Sequence, residues 1–259
     1  MTTRSLLTIL LFYGLCGAGS AFAQSIAQNQ SLPLNEEEIQ KAFLRAYYSG
    51  GSGFTSDLVF GQEYYAYHSR SNSKPILFDD DLYTSSIIFD GKYYDNIKLQ
   101  YDAYTDEVVY IDLNLFLNFT SYQISLNKDK IEMFSLYRLG DTLNFYRIDE
   151  GGSNLEPRFY EVPYQGITRL AIKYYCTAHI EKTIEQFKIR KAFFLDTGDG
   201  FYRFRGKRQF IKLFGAGADE IRSIIDENDI RFSLKDPSSI VTILKKYDQL
   251  LLESNIAGG

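Results

Sequence analysis

Carboxylates are the side chains in this sequence best supplied for chemistry, with 33 Asp and Glu against 28 Lys and Arg. Asp79-Asp80-Asp81 is the densest acidic run. Calcium takes several carboxylate oxygens, but its loops space the ligands at alternate positions around a glycine, and this triplet does neither. A solvated loop is the simpler reading. Asp196-Thr197-Gly198-Asp199-Gly200 comes nearer that spacing yet lacks the remaining acidic ligands and the closing Glu, so it reads as a β-turn between strands at 193–195 and 201–204. Histidine is scarce. His68 and His179 are the only two, and neither has a partner at metal-ligand or triad spacing. A glycosidase-like carboxylate pair stays open, because separation in space is not fixed by separation in sequence. Ser49-Gly50-Gly51-Ser52-Gly53 could cradle an anion, but no Lys-Ser or Lys-Thr follows and it reads as a linker. No catalytic, cofactor-binding or metal-ligating residue is therefore expected.

The amino terminus implies export. Arg4 is a short basic region, residues 6–15 are apolar apart from Thr8 and Gly14, and Ala21-Phe22-Ala23 offers the small residues that signal peptidase needs. The apolar run falls short of the ~20 residues of a membrane span. Residues 1–23 are expected to be a signal peptide, 24–33 a flexible leader, and 34–259 one domain, β-rich over 54–205 and helical over 206–254. Leu15 stands where a lipoprotein signal wants a small residue before Cys16. Cleavage after Ala23 would leave Cys176 as the only cysteine, so stability has to come from a core and not from disulfides. Cys176 alternates with Leu170, Ile172 and Tyr174, which makes it a small core hydrophobe.

Formal charge is −5, which disfavours phosphate backbones and anionic membranes in the absence of a Lys/Arg cluster. Tyrosine and phenylalanine are plentiful, 21 and 20 with no Trp. Tyrosine suits sheet surfaces, where the ring packs and the hydroxyl reaches water, and it can also line a glycan site.

The elements that must position these groups are mostly strands. Ile97, Leu99 and Tyr101 alternate with Lys98, Gln100 and Asp102, a period of two that buries the first set and exposes the second. Asp90-Gly91 makes the turn before that strand, and residues 103–106 reverse the chain after it into 107–113. Residues 58–65 and 87–94 share two aliphatics, Phe, a Gly turn and paired tyrosines, as one repeated hairpin unit would. A short strand at 74–78 and strands at 130–139, 142–148, 158–162 and 168–176 follow, with a reversal at 149–153. Residues 178–190 fit either a short helix or an extended arm, since Ile180, Ile184 and Phe187 also form a helical stripe.

Helices are expected at both ends. Asn35 caps one whose stripe is Ile39, Ala42, Phe43 and Ala46, with Glu36, Glu37 and Glu38 in its first turn. Near the carboxyl end Phe210, Leu213 and Phe214, then Ile221, Ile224 and Ile225, recur at helical spacing. Asp236 caps the last helix with Pro237 at its first position and Ile240, Leu244, Tyr247 and Leu251 as its stripe. A final helix argues against a transmembrane barrel closed by its last strand. The expected fold is α+β: an antiparallel sheet, curved or half-barrel, with an amino-terminal helix and a carboxyl-terminal helical segment.

The segment from Gly91 to Asp102, Gly-x-Tyr-Tyr-x-Asn-Ile-x-Leu-x-Tyr-Asp, together with the signal-like start and Phe210-Ile-Lys-Leu-Phe before two helices, resembles secreted proteins of Bacteroidetes bacteria. The resemblance implies a periplasmic or outer-envelope location and brings no site residue with it. A non-catalytic binding or assembly module that meets another envelope protein is the leading expectation. A carrier of a hydrophobic or glycan ligand in a sheet cavity, or a carboxylate hydrolase, are the alternatives. Neither nucleic acid nor a membrane span beyond the signal is expected.

Overall fold

A computed structural model describes residues 57–58, 61–65, 73–78, 83–117, 120–138, 140–148, 155–181 and 184–257. The signal and leader, the helix expected from Asn35, the 49–53 loop, His68, Asp79-Asp80-Asp81 and the 149–153 reversal lie outside them.

The strands are β1 (Gln62–Glu63), β2 (Tyr83–Phe89), β3 (Lys92–Asp102), β4 (Glu107–Leu117), β5 (Thr120–Ser125), β6 (Ile131–Arg138), β7 (Asp141–Ile148), β8 (Arg158–Gln165), β9 (Arg169–Glu181), β10 (Ile184–Asp196) and β11 (Phe201–Phe204). They form one open antiparallel sheet in the order β1-β5-β4-β3-β2-β6-β7-β8-β9-β10-β11. Two meanders, β2–β5 and β6–β11, are joined where β6 pairs with β2. Three α-helices follow: α1 (Lys207–Lys212), α2 (Ala218–Glu227) and α3 (Ser238–Ala257). No described helix is long and apolar enough to cross a membrane.

Local chemistry explains the first hairpin. Asp90 and Gly91 take φ of 52° and 70°, the paired positive values of a type I′ turn, whose twist matches that of the strands it joins. Asn96 also has positive φ, at 55°, and there the β2–β3 register slips. That bulge leaves Asp95 and Asn96 both exposed before the alternation resumes at Ile97.

The sheet is strongly curled. Five strand spacings separate β3 from β9, about 24 Å in a flat sheet. Yet the Cys176 amide of β9 donates to the Ala103 carbonyl just past β3 at 3.1 Å. The concave face so formed is filled by rings from five strands. Phe134 stacks on Phe145 at 4.7 Å, Tyr101 tilts against both, Phe159 meets Phe134 edge-on, and Tyr174 leans on Phe145. Farther along the same face the helices add Phe210, Ile221, Ile224, Ile240, Ile243 and Leu244 to the core.

Of the two readings open for residues 178–190 the extended arm holds: 178–181 and 184–190 pair as β9 and β10, and Ile180 is 72 % exposed, so the apparent helical stripe buries no common face. Other expectations are corrected. Residues 58–65 do not repeat the hairpin at 87–94: Gln62 and Glu63 pair with β5 at the sheet edge. Of 74–78 only Ile76 makes a bridge, to Asp102. Asp102 is fully buried and not in water, accepting from the Tyr104 and Thr105 amides and the Tyr64 hydroxyl. Cys176 is only half-buried at the rim of the core, its thiol pushed up by burial.

Candidate functional site

The buried carboxylates have structural partners. Of the five buried among the described residues, four accept a tyrosine hydroxyl: Asp102 from Tyr64, Asp106 from Tyr101, Glu161 from Tyr174 and Asp248 from Tyr164, at 2.6–2.8 Å. The fifth, Asp196, organises the β10–β11 turn, where it accepts from the Gly198 and Gly200 amides and pairs with Arg169. Burial alone would raise the Asp196 carboxyl, but the Gly198 amide, the Arg169 guanidinium and the Gly200 amide outweigh it and hold it below the usual range. The 196–200 segment is thus the turn that its sequence predicts. A buried carboxylate must be satisfied by donors, and a ring-filled concave face supplies phenolic ones. Part of the tyrosine richness is accounted for here.

Glu161 is the acid with the least help: among the described residues it accepts only from the Tyr174 hydroxyl, at 2.6 Å. Burial raises its carboxyl above the ordinary 4.5, against the lowering effects of Tyr174 and Lys191. The folded chain therefore holds this proton more tightly than the unfolded chain does. Its stabilising effect is complete below the unfolded value and is lost as pH rises through the higher folded one. Replacing Glu161 by Gln, which cannot ionise, should remove that loss. Thermal melts at steps from about pH 4 to pH 8 should find the variant gaining on the wild type as pH rises; a constant gap would contradict the assignment.

His179 is exposed on β9 opposite Gln186. Among the described residues no three or more His, Cys, Asp and Glu side chains gather closely enough to hold a metal ion.

Cations converge instead, on the convex face. Period-two alternation turns Leu170, Ile172 and Tyr174 of β9 inward, and leaves Ala171, Lys173 and Tyr175 on the opposite face. Register carries that face across the sheet: Lys173 lies opposite Ala192, Tyr175 opposite Arg190, and Phe194 opposite Arg203. A groove of about 590 Å³ opens there, lined by Arg158, Lys173 and Arg203 with Tyr175 and Phe194, and walled by Tyr104 of the β3–β4 turn. Small Ala192 leaves room at its floor. The turn is held in place because Asp106 accepts from the Phe159 amide at 3.3 Å and Tyr104 packs edge-on against Phe187.

The electrostatics are one-sided. Among the described residues Glu156 is the only acid lining the groove, 2.5 Å from Lys173 and 3.6 Å from Arg158. The Lys173 ammonium and, more weakly, Arg158 hold its carboxyl below the usual range. Arg203 is exposed and makes no ion pair with a described residue. A planar guanidinium is a bidentate partner for a carboxylate or sulfate, and the neighbouring rings offer flat faces.

The expectation that the chain has no Lys/Arg cluster is corrected here. Residues 188–212 carry eight Lys or Arg against two Asp, a density legible in the sequence although the whole chain is at −5. Comparison of the chain with protein-family models, with curated proteins and with solved structures finds no match. Geometry and charge are left to carry the functional reading.

Proposed function

We propose that this chain is an exported, non-catalytic binding protein of the cell envelope, and that its convex groove takes a carboxylated sugar. One observation carries the reading: Arg158, Lys173 and Arg203 meet Tyr104, Tyr175 and Phe194 around one opening in an otherwise acidic chain. A pyranose has an apolar C–H face for a ring and, if it is a uronate, a carboxylate for a guanidinium. The opening is of the size that small ligands use. The signal-like start and the resemblance to secreted proteins favour the envelope. The ring-packed concave face and the donor-bound buried acids favour binding through the outer surface over carriage inside the sheet or carboxylate catalysis.

Calorimetric titration tests it. Digalacturonate should bind with measurable heat and the neutral galactose disaccharide should not. Arg203→Glu should weaken the uronate at least tenfold, about 1.4 kcal/mol. Tyr175→Ala should weaken it less, with the melting temperature kept in both variants. Equal binding of the charged and neutral sugars, or a silent Arg203→Glu, would refute the proposal.

A second reading has its own observation. The outer edge of β10 is paired with β11 only from Phe193 to Asp196; beyond it no described strand pairs with 184–192, although Ser73 occupies the Phe187 amide and carbonyl there, and an envelope protein could add a strand along the remainder. Lys188, Arg190 and Lys191 along that edge count against it, because charges on an edge strand discourage pairing.

A further inference from the structure

Resting on the reading of the convex groove, we infer that the ligand is a linear acidic polysaccharide of several sugars, bound along a track that leaves that groove and crosses the β10 edge. A second groove, of about 510 Å³, is lined by Lys191, Arg203, Arg205 and Lys235 with Phe193, Phe204 and Leu234, and no acid is among its lining residues. Ala192 and Arg203 line both grooves. They are therefore neighbouring sections of one surface, with the Arg203 guanidinium at the junction.

The topology explains the passage. β11 pairs with β10 from Asp196 back to Phe193 and then leaves for α1, while β10 continues as Ala192 and Lys191 with no described strand on that side. That departure makes a notch, and Arg205 and Lys235 approach it from the segments that precede α1 and α3. Lys191 sits over the Tyr174 ring at 5.1 Å, which places its ammonium on the concave side. A chain passing through the notch would thus meet cations on both faces of the sheet. Asp236, next to Lys235, accepts from the Ser238 amide at the start of α3, and Ser238 and, more weakly, Lys191 hold its carboxyl below the usual range, so this acid stands at the margin of the second groove without being among its lining residues.

Six cations, Arg158, Lys173, Arg203, Lys191, Arg205 and Lys235, so line two joined grooves, and among their described lining residues Glu156 is the only acid. One small anion needs one or two of them. A repeating anion with flexible linkages uses them all, and each further contact is made without a new loss of translational freedom. A nucleic acid is the other polyanion with stackable rings, but the net charge of −5 repels a dense phosphate chain more strongly than a polymer with one carboxylate per sugar.

The test compares digalacturonate, hexagalacturonate and a single-stranded DNA six nucleotides long, by calorimetry at low and at physiological salt. The hexamer should bind at least tenfold tighter than the dimer and lose more affinity to salt. The double variant Arg205→Ala/Lys235→Ala removes exposed side chains only, so its melting temperature should match the wild type. It should return the hexamer to the affinity of the dimer and leave the dimer as it was. A hexamer no tighter than the dimer overturns the track while the groove reading stands; no binding of either sugar overturns both. DNA binding as tight as the hexamer, and lost in the same variant, overturns the polysaccharide in favour of nucleic acid.

Discussion

Replacing Phe134 by alanine is expected to destabilise the fold by about 4 kcal/mol, the upper range for an aromatic side chain deleted from a packed core. Phe134 is wholly buried on β6, the strand that joins the two meanders. It stacks on Phe145 with the rings 2° from parallel, meets Phe159 edge-on at 5.4 Å and lies 5.7 Å from Tyr101. These partners come from strands on both sides of the bend, so the ring helps to set the curvature as well as filling space. Deleting it leaves a cavity that the curled sheet cannot close without changing register at several pairs. Urea denaturation should move to a lower midpoint with little change in slope, and Phe134→Leu should lose much less. A loss below about 1 kcal/mol for Phe134→Ala would mean that the concave face is not packed in this way.

Asp248→Ala is expected to cost about 4 kcal/mol, by a different route. Asp248 lies on α3 yet is buried, and its carboxylate accepts from the Thr168 amide, the Thr168 hydroxyl and the Tyr164 hydroxyl at 2.8–3.0 Å. These donors flank the turn from β8 to β9, so one acid fastens the last helix to the sheet. Gly166 sits in that turn, and a Cβ there would strike both Asp248 and Tyr164. Truncation strands the two buried Thr168 donors away from water and leaves the half-buried Tyr164 hydroxyl without its acceptor, at about 1–3 kcal/mol for each that finds no substitute. Asp248→Asn, which keeps one acceptor oxygen, should lose roughly half as much. Limited proteolysis should cut Asp248→Ala ahead of α3 sooner than the wild type, and equal rates and equal melting would show that the tether carries no load.

Much of the fold was legible because its signals are local. Ile97, Leu99 and Tyr101 announce a strand by alternation, Asp90-Gly91 announces its turn, and Asp236-Pro237 announces α3; each is present as expected. Asp102 escaped, since alternation assigns a face but does not reveal that the segment around Ile76 and Tyr64 covers it. The 178–190 segment stayed undecided between helix and extended arm because Ile180, Ile184 and Phe187 satisfy a helical period by coincidence, on residues that pair as β9 and β10. Asp248 escaped for the opposite reason: on a helix an acid reads as solvent-facing unless its donors, 80 residues away, are known.

The groove was harder to foresee. Arg158, Lys173 and Arg203 come from three strands and touch one opening only after β8, β9, β10 and β11 are laid side by side. The whole-chain charge hid them, and averaging over the chain cancels a basic strand against acids elsewhere. A count over a short window isolates residues 188–212 and with them Arg203, while Arg158 and Lys173 lie outside it.

The most direct test of the account is an NMR titration of the full chain with digalacturonate, following backbone amides. The account predicts that the largest shift changes fall on Lys173, Tyr175, Ala192 and Arg203, and that Arg203→Glu abolishes them at the same sugar concentration. Changes confined to residues around Tyr101, Phe145 and Tyr174 on the concave face, or equal in the Arg203→Glu variant, would contradict it.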